Sequence, residues 1–222
     1  MMQKTASEII MCIRIIVASL VFFQVGCSSA YYSAMEALGH PKRDLLVTRV
    51  EQARDSQKDA KEQFKTALEK FQSVVSFHGG DLEERYKSLD REFEKSKAEA
   101  GRVSNKIESV KDVAEALFAE WQSELRKYSN SRLRNESKRE LEETRSRYGP
   151  LIQQMERAKD KMAPVVGAFQ DQVLFLKHNL NARAISSIKG ELLSVKGDVA
   201  KLVREMERSI DEANAFVRDS AK

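Results

Sequence analysis

Apolar residues recur along most of this chain in alternating steps of three and four, the spacing that lines one face of an α-helix. In the first such stretch Leu46, Val50, Ala53, Gln57, Ala60, Phe64, Ala67, Phe71 and Val74 keep the pattern without a slip. Gly79-Gly80 predicts its end, because glycine accepts the left-handed conformation that follows a helix. Asp81, with Glu84 three residues on, predicts the capped start of a second helix. That second stripe is the longest: Leu82, Tyr86, Leu89, Phe93, Ser96, Ala100, Val103, Ile107, Val110, Ala114, Leu117, Trp121, Leu125 and Tyr128. It predicts a rod of about 70 Å at 1.5 Å per residue. Ser129-Asn130-Ser131 predicts a turn. A third stripe follows through Leu141, Tyr148, Ile152, Met155, Met162, Val166, Phe169, Val173, Leu176 and Leu180. Gly149-Pro150 and Pro164 lie inside it, and proline in a helix removes a hydrogen bond and clashes with the preceding turn. A kink at each, or a break at the first, is expected. Asn179-Leu180-Asn181 predicts the next turn, and Ile185, Ile188, Leu192, Val195, Val199, Leu202, Met206, Ile210 and Ala213 form the fourth stripe, fading near Val217.

Each stripe is one-sided, so no helix can bury its apolar face alone. Short turns make neighbours antiparallel, which predicts an all-α, elongated antiparallel bundle of about four long coiled-coil-like helices over residues 41–222. The two central helices are longer than the outer pair, so one end of their hairpin needs a cover, which a short helix at 31–39 would supply. Stripes this regular could also pair between subunits, so a second copy of the chain is one candidate partner. Composition agrees with long solvated helices: of 222 residues 32% are charged and only 7% aromatic, with three prolines and nine glycines. Charge adds little else. The net +4 arises from 38 basic against 34 acidic residues, a mixture that exposed helix faces carry anyway, and no nucleic-acid partner is expected.

The first thirty residues break the pattern. After Lys4 and Arg14, Ile15 to Val25 forms a mostly apolar run ending at Gly26-Cys27-Ser28-Ser29. The run is shorter than the roughly 20 residues a spanning helix needs, but suits the core of a signal peptide. Gly26-Cys27 resembles a bacterial lipobox, in which the cysteine is lipidated and becomes the new N-terminus. Gln24 stands where that pattern prefers Leu. The alternatives are an uncleaved anchor, or a signal peptide cut by the ordinary peptidase. The lipobox reading divides the chain into a lipoprotein-type signal peptide at 1–26, an anchor and linker at 27–40, and the bundle. Cys12 would leave with the signal and Cys27 would carry the lipid, so the mature chain has no disulfide. Ser28 after the cysteine favours, by resemblance to sorted lipoproteins, an outer-membrane location facing the periplasm. With Cys27 tethered, the turn at Ser129 to Ser131 and the C-terminus would be membrane-proximal, and Gly79-Gly80 and Asn179 to Asn181 distal.

Candidate chemistry is sparse. The scattered His40, His78 and His178 offer no clustered ligand set, and no metal or cofactor is expected. Phosphate-cradling, dinucleotide, nucleophile-elbow and zinc-protease motifs are missing. Acidic pairs such as Glu83-Glu84 and Glu142-Glu143 diverge by about 100° on a helix and face solvent, so no catalytic residue is assigned and no enzyme is expected. The segment Arg126 to Arg147 is the most basic, and Arg132, Arg134, Lys138 and Arg139 are its candidates for headgroup or partner contact. The blander reading of the same residues is a solvated helix pair with i,i+4 ion pairs. The turn around 175–186 concentrates polar variety, and His178, Asn179, Asn181 and Arg183 are the candidates for a partner-binding tip. Trp121 with Phe118, Leu117, Leu125 and Tyr128 is read as core packing, and Gln57 as a register-fixing polar residue in an apolar seam.

Several segments together carry a resemblance. Tyr31-Tyr32-Ser-Ala-Met-Glu, Lys42-Arg43-Asp44, Arg49-Val50-Glu51-Gln-Ala-Arg54-Asp55, Glu62-Gln63-Phe64, Gly79-Gly80-Asp81-Leu82-Glu83, Trp121 and Leu176-Lys177-His178-Asn179-Leu180-Asn181-Ala182-Arg183-Ala184 are among them. From Tyr31 onward the chain resembles an uncharacterised bacterial family of predicted coiled-coil lipoproteins, known only as a domain of unknown function. Gly149-Pro150 departs from that family's pattern. The resemblance implies a helical fold and an envelope location, and supplies no ligand or catalytic residue. The expectation is therefore a lipid-anchored periplasmic scaffold or binding protein acting on an envelope protein partner. Its rival is a helical protein that acts on membranes directly, by lipid binding or hairpin rearrangement.

Overall fold

The computed structural model describes residues 41–76, 79 and 81–220. The signal peptide, the linker with its short helix at 31–39, Cys27, His40 and His78 lie outside the described residues. Four long helices account for nearly all of the rest, α1 (Lys42–Val75), α2 (Leu82–Glu124), α3 (Ser131–His178) and α4 (Ala182–Ser220). A 3₁₀ turn, Leu125–Lys127, extends α2.

Local chemistry sets the helix ends. Pro41 precedes α1 with φ −62° and ψ 146°, the extended geometry its ring favours. Past α1, Gly79 takes φ +137°, a conformation side-chain-bearing residues avoid, and turns the chain into α2. The Glu84 N–H then donates to Asp81 Oδ1 at 3.0 Å, half of the capping box expected there. Asn130 caps α3 by accepting from the N–H groups of Arg132 and Leu133 at 2.9 and 3.2 Å. Asn181 Oδ1 accepts from the Ala184 N–H at 3.0 Å. The turns predicted at 129–131 and 179–181 are therefore asparagine-capped reversals.

α1 packs against α2 and α4, and α3 against the same two, giving the up-down-up-down ring expected from the short turns. Every position of the first stripe, Leu46 to Val74, is buried. Phe71 and Phe169 meet edge to face across the middle at 6.3 Å, and burying one such ring stabilises the fold by about 1.5–3 kcal/mol.

α3 corrects the sequence reading in two ways. Of the kink or break expected at Gly149-Pro150, the break does not occur, and the helix runs on through Pro164. Both prolines are exposed, and so are Ser146 and Asp160, whose carbonyls lose their helical donors, so water can take the place of the missing N–H groups. Leu151, Met155 and Ala158 continue the buried face past the first proline. The face itself is also displaced. Leu151, Ala158 and Val165 are buried, while Ile152 and Val166 are only partly so. The row Met155, Met162, Phe169 and Leu176 is buried as expected, and the row that completes the seam lies on its other flank, at Leu151, Ala158 and Val165. Tyr128 and Leu180, assigned to stripes, lie in turns and are exposed.

The central hairpin outruns its partners at one end. Lys42, the first residue of α1, pairs with Glu120 at 2.9 Å, and Arg147 Nη1 approaches the Asp219 carbonyl at 3.5 Å near the end of α4. Among the described residues, 131–146 of α3, about 24 Å of helix, thus pass beyond α4 and lie against α2. Trp121 Nε1 donates to Ser137 Oγ at 2.8 Å and clasps this overhang. Gln57 is fully buried in the seam as predicted, yet neither end of its amide, nor the buried hydroxyls of Ser56 and Ser209, meets a polar partner.

Candidate functional site: the two ends of the bundle

Along the sides of the bundle charge is largely neutralised within each helix. Lys58–Asp55, Lys65–Glu62, Lys87–Glu83, Lys95–Glu92 and Lys201–Asp198 are three or four residues apart and mostly exposed, so solvent screens them and they add little to stability. Interhelical pairs such as Lys61–Glu207 and Lys111–Glu156 are longer, at 3.6 and 3.5 Å. The displaced carboxylates follow this wiring. Arg54 holds Asp55 below its ordinary range, Lys65 does so for Glu62, and the Gln63 amide with Lys95 does so for Glu92. At Glu156 burial works to raise the pKa, and contact with Lys159 and Lys111 outweighs it. Burial pushes the Tyr148 phenol, stacked edge-on to Phe118 at 5.4 Å, up to about 12. None of these groups is tuned toward a proton transfer near neutral pH. Among the described residues no group of three His, Cys, Asp or Glu could hold a metal ion, and no helix is long and apolar enough to cross a membrane.

The distinctive surface lies at the ends. Among the described residues, five of the six large exposed hydrophobic side chains sit there: Tyr128 and Leu133 at one, Leu174, Phe175 and Leu180 at the other, while Leu193 lies along α4, eleven residues past its start. Leu193 is 81% exposed and Leu133 48%. Sequence reasoning missed 174, 175, 133 and 193 as a group. The available signal was that they are apolar residues lying off the stripe.

At the α2–α3 end the predicted basic segment divides. Arg139 pairs with Glu136, three residues away, and Lys138 with Glu142, four residues away at 3.6 Å. Arg145 lies over the Phe118 ring at 5.3 Å and donates to the Phe118 carbonyl. Arg126 reaches only Ser123 Oγ, at 3.4 Å. The side chains of Arg132 and Arg134 are exposed and have no ion pair or hydrogen bond among the described residues. Both lie in the first turn of α3, which holds no acidic residue, although a helix N-terminus favours negative charge there. α2 obeys that preference with Glu83 and Glu84. The turn from 125 to 135 contains Arg126, Lys127, Arg132 and Arg134 and no acid at all.

At the α3–α4 end the polar candidates are partly occupied. Asn179 Nδ2 donates to the Phe175 carbonyl at 3.0 Å, and Asn181 caps α4, so these two shape the turn. His178 and Arg183 are exposed.

The comparison with protein families agrees with this all-helical, motif-poor picture. Residues 31–220 match the family described as protein of unknown function (DUF2959). The chain belongs to that family. The match spans all four helices of this DUF2959 protein and both candidate ends. No curated protein and no solved structure matches the chain.

Proposed function

We propose that this DUF2959 protein is a lipid-anchored helical scaffold or binding protein of the bacterial envelope, tethered through Cys27 to the outer membrane and facing the periplasm. It acts by contact, without catalysis and without a cofactor, on an envelope protein partner or a second copy of itself. The observation that carries this reading is the concentration of exposed apolar and unpaired cationic side chains at the two ends of a closed bundle. Contact surfaces placed at opposite ends suit a spacer. The small residue Gly26 before Cys27, and the apolar run Ile15 to Val25 before that, support the tether. Among the described residues His178 and Arg183 are exposed at the other end, on the turn that Asn179 and Asn181 shape.

The test is intact mass with membrane fractionation, comparing the native protein with Cys27→Ser. The expected result is a mature N-terminus at Cys27 with added acyl mass, and release from the membrane in the variant. An unmodified full-length chain in the soluble cytoplasmic fraction would overturn the localisation and the function built on it. A second reading, direct action on membranes through lipid binding or hairpin rearrangement, is favoured by one observation. The unpaired Arg132 and Arg134 lie at the same end as the start of α1.

A further inference from the structure

Several features coincide at the α2–α3 turn. Four cations stand within eleven residues, with no carboxylate among them. Arg132 and Arg134 are unpaired and Arg126 is held only by a long bond to a hydroxyl. Tyr128 and Leu133, both exposed, are interleaved with them. Basic residues alternating with an aromatic and an aliphatic side chain match a bilayer interface, where cations meet phosphates and apolar tips enter the headgroup boundary. The surface is the convex end of a two-helix overhang, which suits a plane better than the grooves of a nucleic acid.

The start of α1 lies near the same end, because Lys42 pairs with Glu120. From Glu120 to the turn is about 15 Å at 1.5 Å per residue. The linker from Cys27 to Pro41 spans up to about 45 Å when extended. An anchor at Cys27 therefore leaves ample slack for the turn to touch the membrane that holds it.

We propose that the α2–α3 turn, through Arg126, Arg132 and Arg134 with Tyr128 and Leu133, is a docking surface for an anionic phospholipid bilayer. The proposal rests on the tethered reading above and adds a second attachment, which fixes the long axis of the bundle relative to the membrane. Two attachments are what a stable yet orientable anchorage requires.

The test uses the full chain and two sets of vesicles, phosphatidylcholine alone and phosphatidylcholine with about one third phosphatidylglycerol. The measured quantity is the ratio of partitioning onto anionic over zwitterionic vesicles, in which the contribution of the anchor cancels. The triple variant R126Q/R132Q/R134Q should lower that ratio about tenfold or more. Raising salt should lower it in the native protein as well. The control K177Q/K189Q/K196Q removes equal charge away from this turn and should leave the ratio unchanged. Hydrogen exchange on anionic vesicles should slow at residues 125–135 and not at 174–181. Equal losses in both triple variants, or protection only at 174–181, would overturn the proposal by assigning the effect to net charge or to the other end. Binding to both vesicle types with a ratio near one would sink the docking surface and leave the tether standing. Failure to bind either would remove both. Capture of polyglutamate by the native chain, without any vesicle preference, would assign the turn to an acidic protein instead.

Discussion

The α2–α3 and α3–α4 turns are built alike and end differently. Each is a three-residue connection closed by an asparagine N-cap, Asn130 in one and Asn181 in the other. Beyond the α3–α4 turn, α4 meets buried partners at once through Ala184, Ile185 and Ile188. Beyond the α2–α3 turn, α3 runs from 131 to 140 with no residue buried before Leu141. The exposed surface differs in the same sense, apolar around Leu174, Phe175 and Leu180 and cationic around Arg132 and Arg134. Turn chemistry decides where a helix starts. What surrounds the start decides whether it becomes core or surface.

The sharpest way to break this comparison is to truncate buried leucines at both ends. Leu141→Ala and Leu176→Ala should each cost about 2–5 kcal/mol in urea unfolding, while Leu133→Ala should stay within about 0.5 kcal/mol. If Leu141→Ala proves as mild as Leu133→Ala, the packed body stops short of the overhang. A change midway along the bundle should move both ends together. Gln57→Leu removes a buried amide with neither end bonded and should raise stability by about 1–3 kcal/mol, read as a higher urea midpoint at unchanged m-value. Asn130→Ala and Asn181→Ala should each cost about 1 kcal/mol, and a marked inequality would show that one turn relies on more than its cap.

Acid should have the smallest and least local effect. Asp55, Glu62, Glu92 and Glu156 have folded-state pKa values below their ordinary ones. Their stabilisation is complete above the unfolded carboxylate values, near pH 4, and is lost as pH falls through the lower folded values. Stability should therefore be flat from about pH 6 to 8 and decline below about pH 4, with thermal unfolding across that range as the check. Because these groups lie along the sides, the two ends should lose exchange protection in parallel.

Much of this architecture was legible because its causes are local. The spacing of Leu46 to Val74, the Asp81–Glu84 cap and the two asparagine turns each act within a few residues. The continuity of α3 was not legible, since a proline's cost depends on whether its orphaned carbonyls face water or core. Ser146 and Asp160 face outward, a fact of the packed bundle. Which flank of α3 completes the seam, Leu151 and Val165 or Ile152 and Val166, is likewise decided by the packed bundle, since both pairs are apolar. At the candidate site, helical spacing offers Glu136 both to Arg132, four residues before it, and to Arg139, three after it, and only the structure shows that Arg139 takes it. The apolar end was harder to foresee, because Leu174 and Phe175 stand between the buried Val173 and Leu176 and only the rotation of the helix decides among them.

Trp121 is the chain's single tryptophan, half-buried at the junction of overhang and body with its indole bonded to Ser137. Its position makes it an intrinsic optical gauge of that junction. If the overhang separates while the body stays folded, emission should shift to the red at constant helical ellipticity. If the two melt as one, both signals should trace a single curve.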